Sequence, residues 1–509
     1  MSDDLLHVRT FPRGRQLTVF AMLVSCFALW GLLNNMTDNL VPAFQRIFTM
    51  DPSRAGLVQV AFYGAYAVLA LFASIIAEEF SYRVGVLAGL AVYVAGSLLY
   101  VPACLCASFD IYFIAIFTVA AGCSLLETTC NPYVLSLGDE ATAVRRLNFA
   151  QAVNPVGSIL GIFLAQKLIL ANLNPVTAAE RAQMAPDALA AIVHNELFWV
   201  CVPYVGLCAF AALVWVFFLR INPFVSTFAE KRVGLGRVAS AGLFALVPLT
   251  ALYFLFPEMD KVLWIVCGMA GPFVYVLLIK DYRDMLYILL RRPRYWCGVV
   301  AQFFYVGVQI AVWTWINAYC QQEFGVKPDE AAFYYLVSIF LFIAMRWVAT
   351  ALMRRMDPAL LLAGFAFVAI VSTAGVMYLP SKALVTVMGY PVGWSAVALV
   401  CVTGCMSLMF PTIYGMALGG LDPRAFRLGA AGLIMSILGG AIITPWMGAI
   451  AGSETSIWLA LVPGLDSVRN LDLQVSCQSI RASFVVPALC FAVVFAYALL
   501  FKKSSDGQK

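Results

Sequence analysis

The sequence predicts an all-α polytopic membrane protein, and three observations predict it. Apolar residues fill 63% of the 509 positions and charged residues only 12%, against roughly half and a quarter in soluble domains. Runs long enough to cross ~30 Å of hydrocarbon recur in two sets of six. Lys and Arg gather on one side of those runs. The mean hydropathy of +0.89 agrees.

The first set lies at 17–44, 55–78, 83–104, 110–137, 147–171 and 197–219. The second lies at 296–319, 331–353, 358–379, 391–418, 428–451 and 481–501. Between them, Val238–Phe256 and Val262–Ile279 are joined by the turn PEMDK. This inserted two-helix hairpin (238–256, 262–279) raises the expected number of transmembrane helices to fourteen and, being even, leaves the orientation downstream unchanged. The expected organisation is an N-terminal six-helix bundle over 1–220, a central segment over 221–294 holding the hairpin, and a C-terminal six-helix bundle over 295–509. The polar first sixteen residues end in Arg13 and Arg15, and no small-residue cleavage site follows, so a retained first helix is expected. With the N-terminus placed in the cytoplasm, inner segments hold 22 Lys or Arg and outer segments eight. By the positive-inside rule both termini are expected to be cytoplasmic, in a multi-pass protein of the inner or plasma membrane.

Several function classes lack their residues. There is no Walker loop, Gly-rich nucleotide signature or HExxH zinc motif, so neither an ATP-driven pump nor an embedded metallohydrolase is expected. The two histidines, His7 and His194, lie outside the runs. The fourteen cysteines are scattered, and the one tight pair, Cys104-x-Cys106, has no metal-ligand companions. No enzyme activity, metal or nucleic-acid partner is expected.

The functional signal is polar residues inside the apolar runs. Glu127 sits in the fourth run with Asn131 four residues on, on the same helical face, followed by Pro132. An ionisable side chain in hydrocarbon costs kilocalories and survives where it meets a cavity or a partner. In the first run Trp30, Asn34 and Asp38 repeat at i, i+4, i+8, with Asn35 beside them. A carboxylate shielded from water binds a proton more readily, which is what proton coupling requires. Asn148, Gln151 and Asn154 give the fifth run a polar face, for which hydrogen bonding between helices is the competing role. The seventh run carries Gln302, Tyr305, Gln309 and Trp313 on one stripe, and the tenth Met406, Phe410 and Tyr414. Core packing competes with ligand contact for the last three. Amides, carboxylates and aromatic faces together suit a sugar, whose hydroxyls take bidentate hydrogen bonds and whose C–H faces stack on rings. A charged substrate would need a countercharge, and Arg346 in the eighth run is the deep candidate.

The stretches FALWGLLNNMTDNLVPAFQ, LLETTCNPYV, RLNFAQAVNPVGS, AQFFYVGVQIAVW, LMFPTIYGMAL and GGAIITPWMG resemble the fucose–galactose–glucose proton-symporter branch of the major facilitator superfamily. The resemblance covers all twelve core runs. It implies a major facilitator fold of two six-helix bundles, with runs 1, 4, 7 and 10 lining a cavity that opens alternately to each side. It places Asp38 and Glu127 at the positions of the family's two essential acids, the proton-coupling pair. Asn35, Asn131 and Gln151 match positions facing the sugar, and Trp30, Gln302, Gln309 and Trp313 match cavity positions. Asn154, Tyr305 and Tyr414 complete the expected substrate-binding set. Three features depart from the resemblance: the inserted hairpin, Phe410 in place of a tyrosine before Pro411-Thr412, and Glu78–Glu79 where a basic pair is usual.

The expectation is proton-coupled symport of a neutral sugar, L-fucose or a related hexose, into the cell by a monomer in the bilayer. Sodium-coupled transport of glucose, galactose or N-acetylglucosamine is the alternative, with Na⁺ replacing the proton. A non-transporting sugar sensor would need a signalling tail, and eight residues follow Phe501. No organic cofactor is expected.

Overall fold

A computed structural model of the chain describes residues 14–38, 40–50, 57–176, 178–181, 183–220, 235–255, 261–381, 385–422, 425–451 and 478–502. Among these, twelve helices are long and apolar enough to cross a membrane. In chain order they are span 1 (Gln16–Thr37), span 2 (Leu57–Glu79), span 3 (Tyr82–Leu105), span 4 (Phe109–Ser136), span 5 (Glu140–Asn172) and span 6 (Pro186–Arg220). Then follow span 7 (Pro293–Phe324), span 8 (Phe333–Leu352), span 9 (Pro358–Tyr378), span 10 (Trp394–Leu418), span 11 (Phe426–Gly448) and span 12 (Ile480–Leu500).

Spans 5 and 6 begin well before the apolar runs that announce them. Hydropathy falls where Arg145, Arg146 and Glu196 enter, yet backbone hydrogen bonding carries the helix through them. Arg146 is fully buried and donates from Nε to the Val134 carbonyl and from Nη2 to the Leu135 carbonyl. It thereby adds donors to carbonyls at the end of span 4, where helical partners run out. Asp357 starts span 9 by accepting from the Ala359 and Leu360 amides at 2.8 and 3.3 Å, with Pro358 at the first helical position.

The inserted segment forms the helices Leu235–Leu255 and Lys261–Leu278, which pack on each other and on span 2. These helices are 21 and 18 residues long, and only their stretches Gly236–Pro248 and Cys267–Leu278 count as apolar among the described residues. The twelve spans counted among the described residues therefore leave out the two that hydropathy adds to make fourteen. The connecting residues 256–260 lie outside the described ones, as do 452–477 in the last long loop. Between spans 9 and 10, Val385–Val387 pairs antiparallel with Tyr390–Val392. The turn uses Met388 and Gly389, both at positive φ, the pattern that tight hairpin turns require.

The chain divides into two compact units, Met1–Arg291 with Gly420–Met435, and Arg292–Gly419 with Ser436–Lys509. The inserted helices and the start of span 11 thus belong to the first unit. Within it, span 5 is interrupted at Ala152–Val153 between the helices Ala143–Gln151 and Asn154–Leu164. Pro155 opens the second of these, where its missing N–H costs nothing. Past the interruption Gly157 lies so close to span 1 that a Cβ there would overlap the Ala28 carbonyl. The second unit repeats the device. Span 11 is interrupted at Ser436–Leu438, and Gly439 then meets the Phe303 carbonyl of span 7 with no room for a Cβ. Small residues at crossings are what close helix contact in a membrane demands.

Candidate functional site

In the first unit, Glu127 lies on span 4 with 6% of its surface exposed, and Tyr66 of span 2 stands beside it. One turn on, Asn131 is fully buried. Gln151 of span 5 donates from Nε2 to Asn131 Oδ1 at 2.9 Å. This bond fixes the orientation of both amides and leaves Asn131 Nδ2 as a shielded donor with no partner among the described residues. Thr128 Oγ1 and Asn34 Oδ1 are shielded and unpaired in the same sense. Leaving such groups unmade costs roughly 1–3 kcal/mol each, a cost that a hydroxylated ligand removes.

The predicted amide row on span 5 divides. Gln151 reaches Asn131, whereas Asn148 donates to the Val144 carbonyl of its own helix at 3.0 Å. Asn154 donates to the Phe27 carbonyl of span 1 at 3.1 Å, which serves the contact between helices that competes with ligand binding for such amides. Asn35 donates to the Gly31 carbonyl at 3.1 Å, and Trp30 packs on Phe27 with ring centroids 4.2 Å apart. Asp38 ends the helix Arg15–Asp38, and its side chain lies outside the described residues.

In the second unit, Gln302 of span 7 is fully buried, and neither its Oε1 nor its Nε2 has a partner among the described residues. Further along that helix Trp313 Nε1 and Asn317 Oδ1 are also unpaired. The Trp313 ring meets Phe342 of span 8 edge to face at 5.2 Å. Gln309 is half-buried. Tyr305 donates to the Met406 carbonyl at 3.0 Å and meets Phe410 edge to face at 6.4 Å. Phe410 and Tyr414 stack nearly parallel at 6.1 Å, forming an aromatic wall on span 10. Arg346, the deep cation, donates from Nε to the Ser407 carbonyl. It therefore has backbone to bind and does not stand as a bare countercharge. Thr128 and Asn317 were not distinguishable by sequence pattern from packing residues, because only the structure shows which polar atoms lack partners.

The sequence model of the Major Facilitator Superfamily matches residues 18–444. The chain belongs to that superfamily. It is 32% identical over 483 residues to the L-fucose-proton symporter of Haemophilus influenzae, covering 94% of this chain and 95% of that protein. It is 26% identical to the glucose/galactose transporter of Brucella abortus, covering 99% of this chain and 98% of the relative. The crystal structure of the superfamily transporter FucP in the outward conformation matches with a TM-score of 0.72 at 27% identity, over 96% of this chain and all of that one. The superfamily fold of two helical bundles expected from the sequence is what the structure has, and the chain is a multi-pass membrane protein. These relatives are transporters and not enzymes.

Proposed function

We propose that the chain is a proton-coupled symporter of a neutral hexose or 6-deoxyhexose, with L-fucose the first choice. One observation carries this reading. A nearly buried carboxylate, Glu127, sits one turn from the Asn131–Gln151 amide pair, in which Asn131 Nδ2 has no partner among the described residues. A carboxylate beside an amide donor that awaits a partner joins a proton site to a site for hydroxyl groups, which is the coupling that symport needs. The likeness to an L-fucose-proton symporter over nearly the whole chain supports the same reading.

Asp38 is the second acid, assigned from its place on span 1. Trp30, Asn35, Gln302, Gln309, Trp313 and the Phe410–Tyr414 wall complete the sugar contacts, and Tyr305 and Asn154 hold them through the backbone. Access alternates, with both termini in the cytoplasm and the monomer as the working unit. Glucose or galactose is the second reading. It is favoured by Phe410, which presents the sugar a ring without a hydroxyl, and by the likeness to a glucose/galactose transporter.

Uptake into proteoliposomes across a panel of hexoses, driven by an imposed ΔpH or by a Na⁺ gradient, tests both. L-fucose accumulation driven by ΔpH alone is expected. Accumulation driven only by Na⁺ would replace the proton, and uptake indifferent to both gradients would overturn symport.

A further inference from the structure

Span 10 is interrupted between the helices Trp394–Met406 and Met409–Leu418. The cause can be read in the chain. The Ser407 carbonyl would accept from the amide of residue 411, and residue 411 is Pro, which has no N–H. A backbone carbonyl without a donor is costly in a membrane, so a kinked span persists only where neighbours supply one. Two neighbours do so. Arg346 Nε of span 8 donates to the Ser407 carbonyl, and the Tyr305 hydroxyl of span 7 donates to the Met406 carbonyl at 3.0 Å. Arg346 is 3% exposed and Tyr305 fully buried, so both bonds are shielded from competing water. The guanidinium also lies 4.6 Å over the Phe342 ring, which in turn meets Trp313. The aromatic wall of Phe410 and Tyr414 starts within one turn of the pinned carbonyls.

We propose that Arg346 and Tyr305 are positioning residues for substrate specificity. They pin the interruption of span 10 at Met406 and Ser407, and so set the orientation of the Phe410–Tyr414 wall that selects the sugar. This rests on the sugar-transport reading. What Arg346 contributes is a donor at its Nε; its charge is secondary.

Substitutions that separate donor from charge test it. In Arg346→Gln, Nε2 stands the same number of bonds from the backbone as the arginine Nε, so the donor stays and the charge goes. Arg346→Lys keeps the charge but puts a methylene at that position, and Arg346→Met keeps neither. Tyr305→Phe removes only the hydroxyl. Uptake kinetics on the hexose panel should show Gln close to wild type. Lys, Met and Tyr305→Phe should raise KM about tenfold, the equivalent of ~1.4 kcal/mol, with kcat little changed and discrimination among sugars reduced. Hydrogen exchange across Gly404–Thr412, measured without sugar, should quicken about tenfold in Met and Lys and stay at the wild-type rate in Gln. The reverse order, with Lys preserved and Gln lost in both measurements, would overturn the proposal and make the charge the working element. If the wild type moves no sugar on the panel, the transport reading fails. The exchange order then still decides whether the pinning exists.

Discussion

Replacing Tyr282 with Phe should loosen the inserted helices from the bundle that carries Glu127. Tyr282 lies on the helix Lys280–Leu290, which follows the second inserted helix, and its hydroxyl donates to Glu79 Oε1 at 2.6 Å. Glu79 ends span 2 and is 3% exposed; its Oε2 has no partner among the described residues. The other group on Oε1 is Arg237 of the first inserted helix, at 3.3 Å, which also binds Asp281 at 3.0 Å. Arg237 and Asp281 are both more than a third exposed, so solvent screens their part heavily. Most of the clamp energy therefore lies in the tyrosine bond. A hydrogen bond to a charged acceptor is worth roughly 1.5–3 kcal/mol, and its loss should lower Tm by about 1.5–3 °C in a protein of this size. Glu79→Gln keeps an acceptor but removes the charge, so its loss should fall between wild type and Tyr282→Phe.

The pH dependence has a definite sign. Burial, and then the adjoining Glu79 carboxylate, push the Tyr282 phenol upward. A group raised in the folded state contributes stability below its unfolded value, ~10 for tyrosine, and loses it only as pH rises through the folded value. The difference in Tm between wild type and Tyr282→Phe should therefore be equal at about pH 6 and about pH 9. Differential scanning fluorimetry of the purified protein reads it. An unchanged Tm, or a difference that disappears by the higher pH, would refute the clamp.

The two acids separate by their neighbours. Asp38→Asn should abolish accumulation driven by ΔpH while sugar still binds and exchanges, whereas Glu127→Gln should weaken binding as well, because its neighbours Asn131 and Gln151 form the amide pair; binding and counterflow decide it, and accumulation retained by Asp38→Asn would move the proton site to Glu127 alone. A cysteine at Glu258, in the turn between the inserted helices, should react with an impermeant thiol reagent added outside cells, and reaction only in inside-out vesicles would show that the hairpin does not cross.

The two bundles were legible because their cause is compositional: an apolar run of some twenty residues has few other fates in a lipid-facing chain. The stripes on spans 1, 4 and 7 were legible for a related reason, since a polar residue in such a run stands out by its cost. What a given polar atom binds was not legible. Asn154 and Gln151 stand three residues apart in one pattern, yet one caps a carbonyl of span 1 and the other holds Asn131. Helical spacing gives the face but not the facing residue. Glu79 reads as one of a pair of surface charges, and its burial depends on Arg237 and Tyr282, which are more than 150 positions away in the chain. Arg346 gave more away than was used. Pro411 marks an orphan carbonyl four residues earlier, and a lone arginine in a neighbouring run is a fitting donor for it.

The interruption of span 10 explains why the polar atoms of Tyr305 and Arg346 stand where they do. A continuous helix satisfies its own backbone and leaves side chains as the only polar surface. An interrupted one frees carbonyls, and a neighbour must spend a side chain on them. Tyr305 and Arg346 are spent in this way on span 10. Residues on unbroken stretches of spans 4 and 7, Asn131 and Gln302, keep donors and acceptors in hand. Backbone geometry thus divides one sequence pattern of intramembrane polar residues into those that hold the bundle and those left for a ligand. A substitution at Pro411 should shift that division. Pro411→Ala restores an amide to the Ser407 carbonyl, competes with Arg346 for it, and should release the guanidinium without removing it. Sugar selectivity should then degrade as expected for Arg346→Met, although every side chain proposed to face the sugar is unchanged. If Pro411→Ala retains wild-type selectivity on the hexose panel, the interruption does not set the wall, and the side chains of span 10 select the sugar by themselves.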